Sequence, residues 1–338
     1  MIYLSELRLQ NFRSHVDKVV RFKDKVNVIV GQNGVGKTNL LEAIYYFSLG
    51  TSFRTAVRKN LVNFHADDFS IMEVVNMNDK KISGSVTFSD KKSDTLPLKV
   101  IAFSPESTNI IDGDPKIRRN FIDAIILQYD VKYRKILMEL NHTTKQRATL
   151  FKGNDLAMIE HWDEKYATLS ENITLKRQKL ILSVNKHIDK IYKSIAGQAQ
   201  TLQVDLVTTP SNVEIKEIVR ELENTREKER ILGWTNVGAK GDDIVFILNG
   251  EPAKCTGSYG EKWSLMISFV LAVWEILNEK GSKFENIEPL LLLDDAFTGL
   301  DAKRRQKLVK LIQGVNQTII TTANVQDIPK MCYNRIKL

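Results

Sequence analysis

Eight consecutive residues, Gly31-Gln32-Asn33-Gly34-Val35-Gly36-Lys37-Thr38, match the pattern G-x-x-x-x-G-K-T, and each fixed position has a chemical task. Glycine at 31, 34 and 36 permits backbone angles that turn successive N–H groups toward phosphate oxygens. Lys37 can reach the β- and γ-phosphates of a nucleotide, and the Thr38 hydroxyl can ligate Mg²⁺. Such a loop needs a carboxylate for its metal. Four leucines, Leu290 to Leu293, run directly into Asp294-Asp295. Asp294 is the expected Mg²⁺ holder, and Asp295 the expected group that orients or deprotonates an attacking water. Lys37 and Asp294 lie 257 positions apart, so the fold has to bring them together.

The flanking sequence supplies the elements these residues need. Val26 to Val30 is a β-branched run that predicts a buried strand. Asn39 to Leu49 carries Leu40, Leu41, Ala43, Ile44 and Phe47 at helical spacing. Asp294-Asp295 closes a second buried strand, at the edge where open α/β sheets bind ligands. Ser258-Tyr259-Gly260-Glu261-Lys262 leads into a helix expected over about 262–277, and a hydroxyl and free N–H groups at a helix start can hold a phosphate. Thr298-Gly299-Leu300-Asp301 follows the acids. The strand Thr318 to Thr322 ends in two hydroxyls.

Elsewhere, residues 2–10 and 16–22 predict strands. The stretches 70–75, 81–88 and 96–103, separated by polar turns at 76–80 and 89–94, predict an antiparallel layer leaning on the loop-bearing sheet. After Pro105 the pattern turns helical. Helices are expected from Pro115 to about 128, over 132–150 and over 213–231, with one long helix of roughly 60 Å over 156–195. The expected organisation is an α/β domain from 1–105 and 231–338, interrupted by a helical lobe at 106–230.

Composition narrows the function. The chain has 338 residues and is 43% hydrophobic, enough for a real core. It has no apolar run near the ~20 residues that cross a bilayer, and no basic-then-apolar leader at its start. Cys255 and Cys332 are the two cysteines, and the five histidines are scattered. Neither type has metal-ligand spacing, and a reducing cytoplasmic setting is expected. The net charge is +8, and residues 116–152 hold nine basic residues against three acidic ones. A basic nucleotide binder often has a second, polyanionic partner.

Taken in order, Ser258-Tyr259-Gly260-Glu261, Thr298 to Asp301 and Thr318 to Thr322 resemble the signature motif, D-loop and switch region of ABC-type ATPases. More specifically, the sequence resembles the RecF family of bacterial recombination-repair ATPases, which are related to SMC heads. The similar blocks are Leu4 to Arg13, Ser52-Phe53-Arg54-Thr55, Phe103-Ser104-Pro105-Glu106, Gly113-Asp114-Pro115, Arg118 to Asp123, Lys145-Gln146-Arg147 and Trp162-Asp163-Glu164. The resemblance implies an ABC-type head with a helical second lobe and no long coiled coil. It implies a homodimer formed on ATP, with Ser258 and Gly260 reaching in trans to the nucleotide held by Gly31, Asn33, Gly34, Gly36, Lys37, Thr38 and Asn39. Arg13 and Asp301 are expected to contribute to the same nucleotide site, and Glu106 falls near the Q-loop position. A slow, DNA-stimulated ATPase is implied, acting in repair, replication and the SOS response. The implied partners are single- and double-stranded DNA, and RecR, with RecO and RecA indirectly. In that light Arg118, Arg119, Lys145 and Arg147 are the expected DNA contacts.

Two blocks depart from the family. Gly238-Ala239-Lys240-Gly241-Asp242-Asp243 stands where Gly-Pro-His-Arg-Asp-Asp is usual, and Glu261 stands where glutamine is common. Two other readings stay open. One is the ATP-binding subunit of a transporter, against which the helical insertion and basic charge argue. The other is an ATP switch with negligible hydrolysis, which the short carboxylate of Asp295 favours.

Overall fold

The computed structural model describes residues 2–55, 57–89, 96, 98–153, 156–279 and 289–338. In chain order the strands and helices are β1 (Ile2–Phe12), β2 (His15–Arg21), β3 (Lys25–Val30), α1 (Lys37–Leu49), β4 (Ser70–Met77), β5 (Lys80–Thr87) and β6 (Val100–Phe103). The short α2 (Asn109–Asp112) then leads to α3 (Pro115–Ile126), α4 (Val131–Gly153), α5 (Ile159–Asn185), α6 (Ile188–Ala196), β7 (Leu202–Val207) and α7 (Ile215–Leu232). Then come β8 (Asp243–Leu248), β9 (Glu251–Pro252), α8 (Ala253–Thr256), α9 (Tyr259–Glu279), β10 (Leu290–Asp294), α10 (Ala302–Ile312), β11 (Gln317–Thr322) and β12 (Asn334–Lys337).

Contacts divide the chain into two units: one of 1–108, 190–200 and 258–338, and another of 109–189 and 201–257. The first unit carries a parallel sheet of order β12-β3-β11-β10-β6 and an antiparallel sheet of order β2-β1-β4-β5. In the parallel sheet Asp294 pairs with Thr321, and Thr322 with Val30. The acids, the two hydroxyls and the glycine loop therefore leave the sheet at the same edge. Helix α1 is buried from Leu40 to Phe47, in one cluster with Leu4, Leu7 and Phe12 of β1 and Val100, Leu292 and Ile319 of the parallel strands. Gln317, itself buried, joins the two sheets. Its Oε1 accepts from the Leu4 N–H at 2.9 Å, and its Nε2 donates to the Leu4 carbonyl at 2.9 Å.

The ABC-type α/β fold expected from the sequence is present, with local differences. Of the three stretches expected in the antiparallel layer, the first two are β4 and β5. The third shortens to β6 and lies in the parallel sheet beside β10, buried at all four positions as parallel strands are. Residues 90–94 of the expected turn lie outside the described residues. The long helix is broken into α5 and α6. At the break the Asn185 side-chain amide donates to the Val204 carbonyl at 2.7 Å and its oxygen accepts from the Val204 N–H at 2.9 Å. That exchange fastens the end of α5 to a strand that the sequence pattern did not reveal.

The second unit is not purely helical. Strands β7, β8 and β9 form an antiparallel sheet within it, so β8 belongs to this unit rather than to the nucleotide-binding sheets. The boundaries at 109–189 and 201–257 accordingly differ from the expected 106–230.

Candidate functional site

The glycine loop is built by strain that glycine relieves. Gly34 and Gly36 have φ of 86° and 95°, in the left-handed region that side chains disfavour. A Cβ at Gly36 would also lie 2.6 Å from His15 Nε2 and 2.7 Å from Ser14 Oγ. The β1–β2 turn therefore braces the loop from outside, and the His15 Nε2–H donates to the Gly36 carbonyl at 3.0 Å. Burial holds the His15 pKa below its ordinary value. Lys37 is buried, and its Nζ donates to the carbonyls of Gly31 and Gln32 at 2.9 and 3.0 Å. The ammonium thus lies across the loop whose N–H groups would face phosphates. Asn33 is exposed at the tip.

Thr38 and Asp294 meet as the chemistry requires. The Thr38 hydroxyl lies 3.0 and 2.8 Å from the two carboxylate oxygens of Asp294, and the Thr321 hydroxyl donates to Oδ1 at 2.5 Å. Burial pushes the Asp294 carboxyl up to about 6. The two hydroxyls pull it back, and Asp295 and Glu106 push it further. A buried carboxylate among like charges is a ready seat for a divalent cation. Asp295 sits at φ 44°, its N–H donating to Thr321 Oγ1 at 3.1 Å. Its Oδ1 is buried and has no hydrogen-bond partner among the described residues. Burial raises its pKa, while Lys37 lowers it. These residues fit a Mg²⁺–triphosphate.

Beside the loop is a polar network of which the sequence motifs mark only a part. Glu42 of α1 is 0% exposed. It receives Arg13 Nε and Nη2 at 2.9 and 2.6 Å and the Ser52 hydroxyl at 2.5 Å. Arg54 Nη1 donates to Asn39 Oδ1 at 3.1 Å, and its Nε is 3.8 Å from Glu106. Asn39 Nδ2 in turn donates to Ser14 Oγ at 2.9 Å. Arg13 and Asn39, both expected in the nucleotide site, are held in this network, Arg13 by Glu42 and Asn39 by Ser14 and Arg54. The Ser-x-Arg after the loop helix was the available sign of Arg54.

Ser258 and Gly260 start α9. Ser258 forms a reciprocal cap with Glu261: its N–H and its hydroxyl donate to Glu261 Oε2 at 2.9 and 2.7 Å. Gln200 Nε2 donates to the other oxygen at 2.5 Å. These bonds, that from the Ser258 hydroxyl first, hold the Glu261 carboxyl below its usual range. Asp301 caps α10 by accepting the Arg304 N–H at 2.9 Å, and Arg304 Nη1 reaches the Gly260 carbonyl at 3.3 Å. Trp263 of α9 donates its indole N–H to the Ala296 carbonyl at 2.8 Å. A Cβ on Gly299 would come within 2.4 Å of that ring. Among the described residues no hydrogen bond joins Ser258 or Gly260 to the loop 31–38.

The four expected DNA contacts separate. Arg118 is 5% exposed, and its Nε and Nη2 donate to Asp243 at 2.6 and 3.0 Å. Arg147 is 1% exposed and pairs with Asp163 at 2.7 Å and Glu229 at 2.9 Å. Both guanidinia are paired with internal carboxylates, which is not the open placement expected of phosphate contacts. Arg119 is half-buried and Lys145 exposed.

Residues 3–336 match the RecF/RecN/SMC N-terminal domain family. The DNA replication and repair protein RecF of Ligilactobacillus salivarius is 30% identical over 100% of this chain and 95% of its own. A solved structure of the recombination mediator protein RecF with ATP, from the RecFOR pathway, superposes with a TM-score of 0.85 at 26% identity, covering 99% of this chain and 95% of that one. An Smc head domain from Pyrococcus furiosus shares the fold at a TM-score of 0.51 and 17% identity, covering 96% and 90% of the two chains. The chain belongs to the RecF/RecN/SMC family and, within it, to the RecF proteins.

Proposed function

We propose that this RecF-family chain is an ATP-dependent DNA clamp of recombinational repair, a slow ATPase that dimerises on ATP and works with RecR, RecO and RecA on gapped DNA. The observation that carries the nucleotide half is the Thr38 hydroxyl at 2.8 and 3.0 Å from the Asp294 carboxylate, across 256 positions of sequence. The relative solved with ATP supports that half. The relatives named for DNA replication and repair support the other.

Mg²⁺, when bound by Thr38 and Asp294, neutralises phosphate charge. Lys37 binds the β- and γ-phosphates. Asp295 orients the attacking water and takes its proton on the buried Oδ1. Ser258 and Gly260 are supplied to the partner's nucleotide, which fits their lack of hydrogen bonds to their own loop. The Ser258 hydroxyl has one proton, and it is donated to Glu261. Turning it to a phosphate requires releasing that carboxylate.

A second reading, an ATP switch with negligible turnover, is favoured by the short, left-handed Asp295. DNA-stimulated ATP hydrolysis separates the two. The clamp itself is tested by light scattering. Asp295→Asn with ATP is expected to accumulate as a dimer, and Lys37→Met is expected to stay monomeric and lose ATP binding. A monomeric Asp295→Asn that binds ATP overturns the clamp.

A further inference from the structure

The second unit holds two populations of cations. Arg118, Arg147 and Arg177 are buried and each is matched by a carboxylate. Arg119 and Lys240 are half-buried too, yet among the described residues neither forms an ion pair. Arg119 Nη1 donates to the Asp242 carbonyl at 2.7 Å, and Lys240 Nζ to Asn141 Oδ1 at 2.6 Å. Both acceptors are neutral. Burial, then the charges of Arg177, Arg119 and Lys116, holds the Lys240 pKa below its usual value, against a smaller pull from Asp123; burial and then Arg177 do the same for Arg119, against Asp242, Asp243 and Asp123. Partly desolvated cations with no carboxylate in direct contact are costly in an isolated chain. An anion arriving from outside removes that cost.

Asn141 shows where the surface continues. On α4, positions 134, 141, 145 and 152 fall within about 40° of one line at 100° per residue. Arg134, Lys145 and Lys152 are exposed along that line, and it carries no acid. From 134 to 152 it extends roughly 27 Å, about eight steps of 3.4 Å along a nucleic-acid strand. Lysines spaced in this way give point contacts to phosphates and no base readout.

We propose that Lys116, Arg119 and Lys240, continued along α4 by Lys145, form the phosphodiester seat on which duplex DNA lies. Lys240 is its centre, in the block that departs from the family. This assignment deepens the clamp reading and rests on its DNA-binding half. It moves the contact from the buried Arg118 and Arg147 to cations that form no ion pair among the described residues.

The test is binding of a fluorescent 30-base-pair duplex to the full chain with ATP across a salt series. The combined variant Lys116→Gln, Lys145→Gln, Lys240→Gln is compared with Lys179→Gln, Lys186→Gln, Lys216→Gln, which removes three exposed cations of the same unit elsewhere. ATP binding and melting temperature check that both variants fold. The first variant is expected to bind at least ~10-fold more weakly, with its log–log salt slope reduced by close to 3, and the second within about twofold of the parent. Equal losses in the two variants, or none in the first, overturn the seat and leave DNA binding itself standing. A parent chain that binds no duplex at low salt overturns the clamp reading and the seat together.

Discussion

Arg177 and Asp294 are both nearly inaccessible to water, yet their surroundings are opposite. Arg177 donates to both oxygens of Asp123 at 2.9 Å, to Asp242 at 2.8 Å and to the Ala239 carbonyl at 2.6 Å. Tyr133 and Thr174 add hydroxyls to the same two acids. The carboxylates outweigh the cost of burial and hold the guanidinium well above its usual pKa. Asp294 receives two hydroxyls, and the charges that act on it, Asp295 and Glu106, have its own sign. The first cluster meets its buried cation with opposite charges from within the chain, although Asp242 Oδ1 makes no hydrogen bond among the described residues. The second has no opposite charge among the groups that shift it, as the proposed metal site would require. Two buried charges can therefore be sorted into structural and functional by what neutralises them, where burial alone sorts nothing.

That contrast can be broken at either end. Arg177→Met strands two buried carboxylates, and urea unfolding is expected to show a loss of about 3–5 kcal/mol; a loss below ~1 kcal/mol would mean that the cluster is not the closed unit described.

Asp294→Asn has the opposite sign. The Asp294 carboxyl, raised from 3.8 to about 6, holds its proton more tightly folded than unfolded. The stability it contributes is therefore lost as pH climbs from about 4 through about 6, and is level above. With chelator present, the variant is expected to gain up to roughly 3 kcal/mol over the parent at pH 8, less whatever the amide loses in bonds to the two hydroxyls, and almost nothing at pH 4, while losing Mg²⁺-dependent ATP binding. A variant less stable than the parent at pH 8 would place Asp294 with the structural charges.

The smallest effect is expected at Glu261, a paired charge inside the functional region. Glu261→Gln frees the Ser258 hydroxyl from a carboxylate and removes a negative charge from the phosphate's approach. ATP-dependent dimerisation is expected to tighten about fivefold, near 1 kcal/mol, as read by sedimentation. Unchanged dimer affinity would show that Ser258 is not held back by its cap.

The same distinction explains what the sequence disclosed. Gly31 to Thr38 and Leu290 to Asp295 were legible because their chemistry is written in local spacing between strand and helix. Ser258-x-x-Glu261 was legible as a helix start, though Glu261's second bond, from Gln200, was not. The sorting of Arg118, Arg119 and Arg147 was hidden. Asp243 lies 125 positions from Arg118 and Asp163 lies 16 from Arg147, and pairing at such separations leaves no periodic mark. Strands β7 and β8 pair across an intervening helix, so neither announced the other. The end of α5 depended on one side chain, Asn185, finding a strand backbone.

The indole of Trp263, bonded to Ala296 and pressed on Gly299, has a mechanical consequence. The segment that follows the metal acid and the helix that begins at Ser258 are interlocked. Displacement of either drags the other. In a pair of chains closed as proposed, a shift at one pocket's acids would then be passed to the helix start that faces its neighbour's nucleotide.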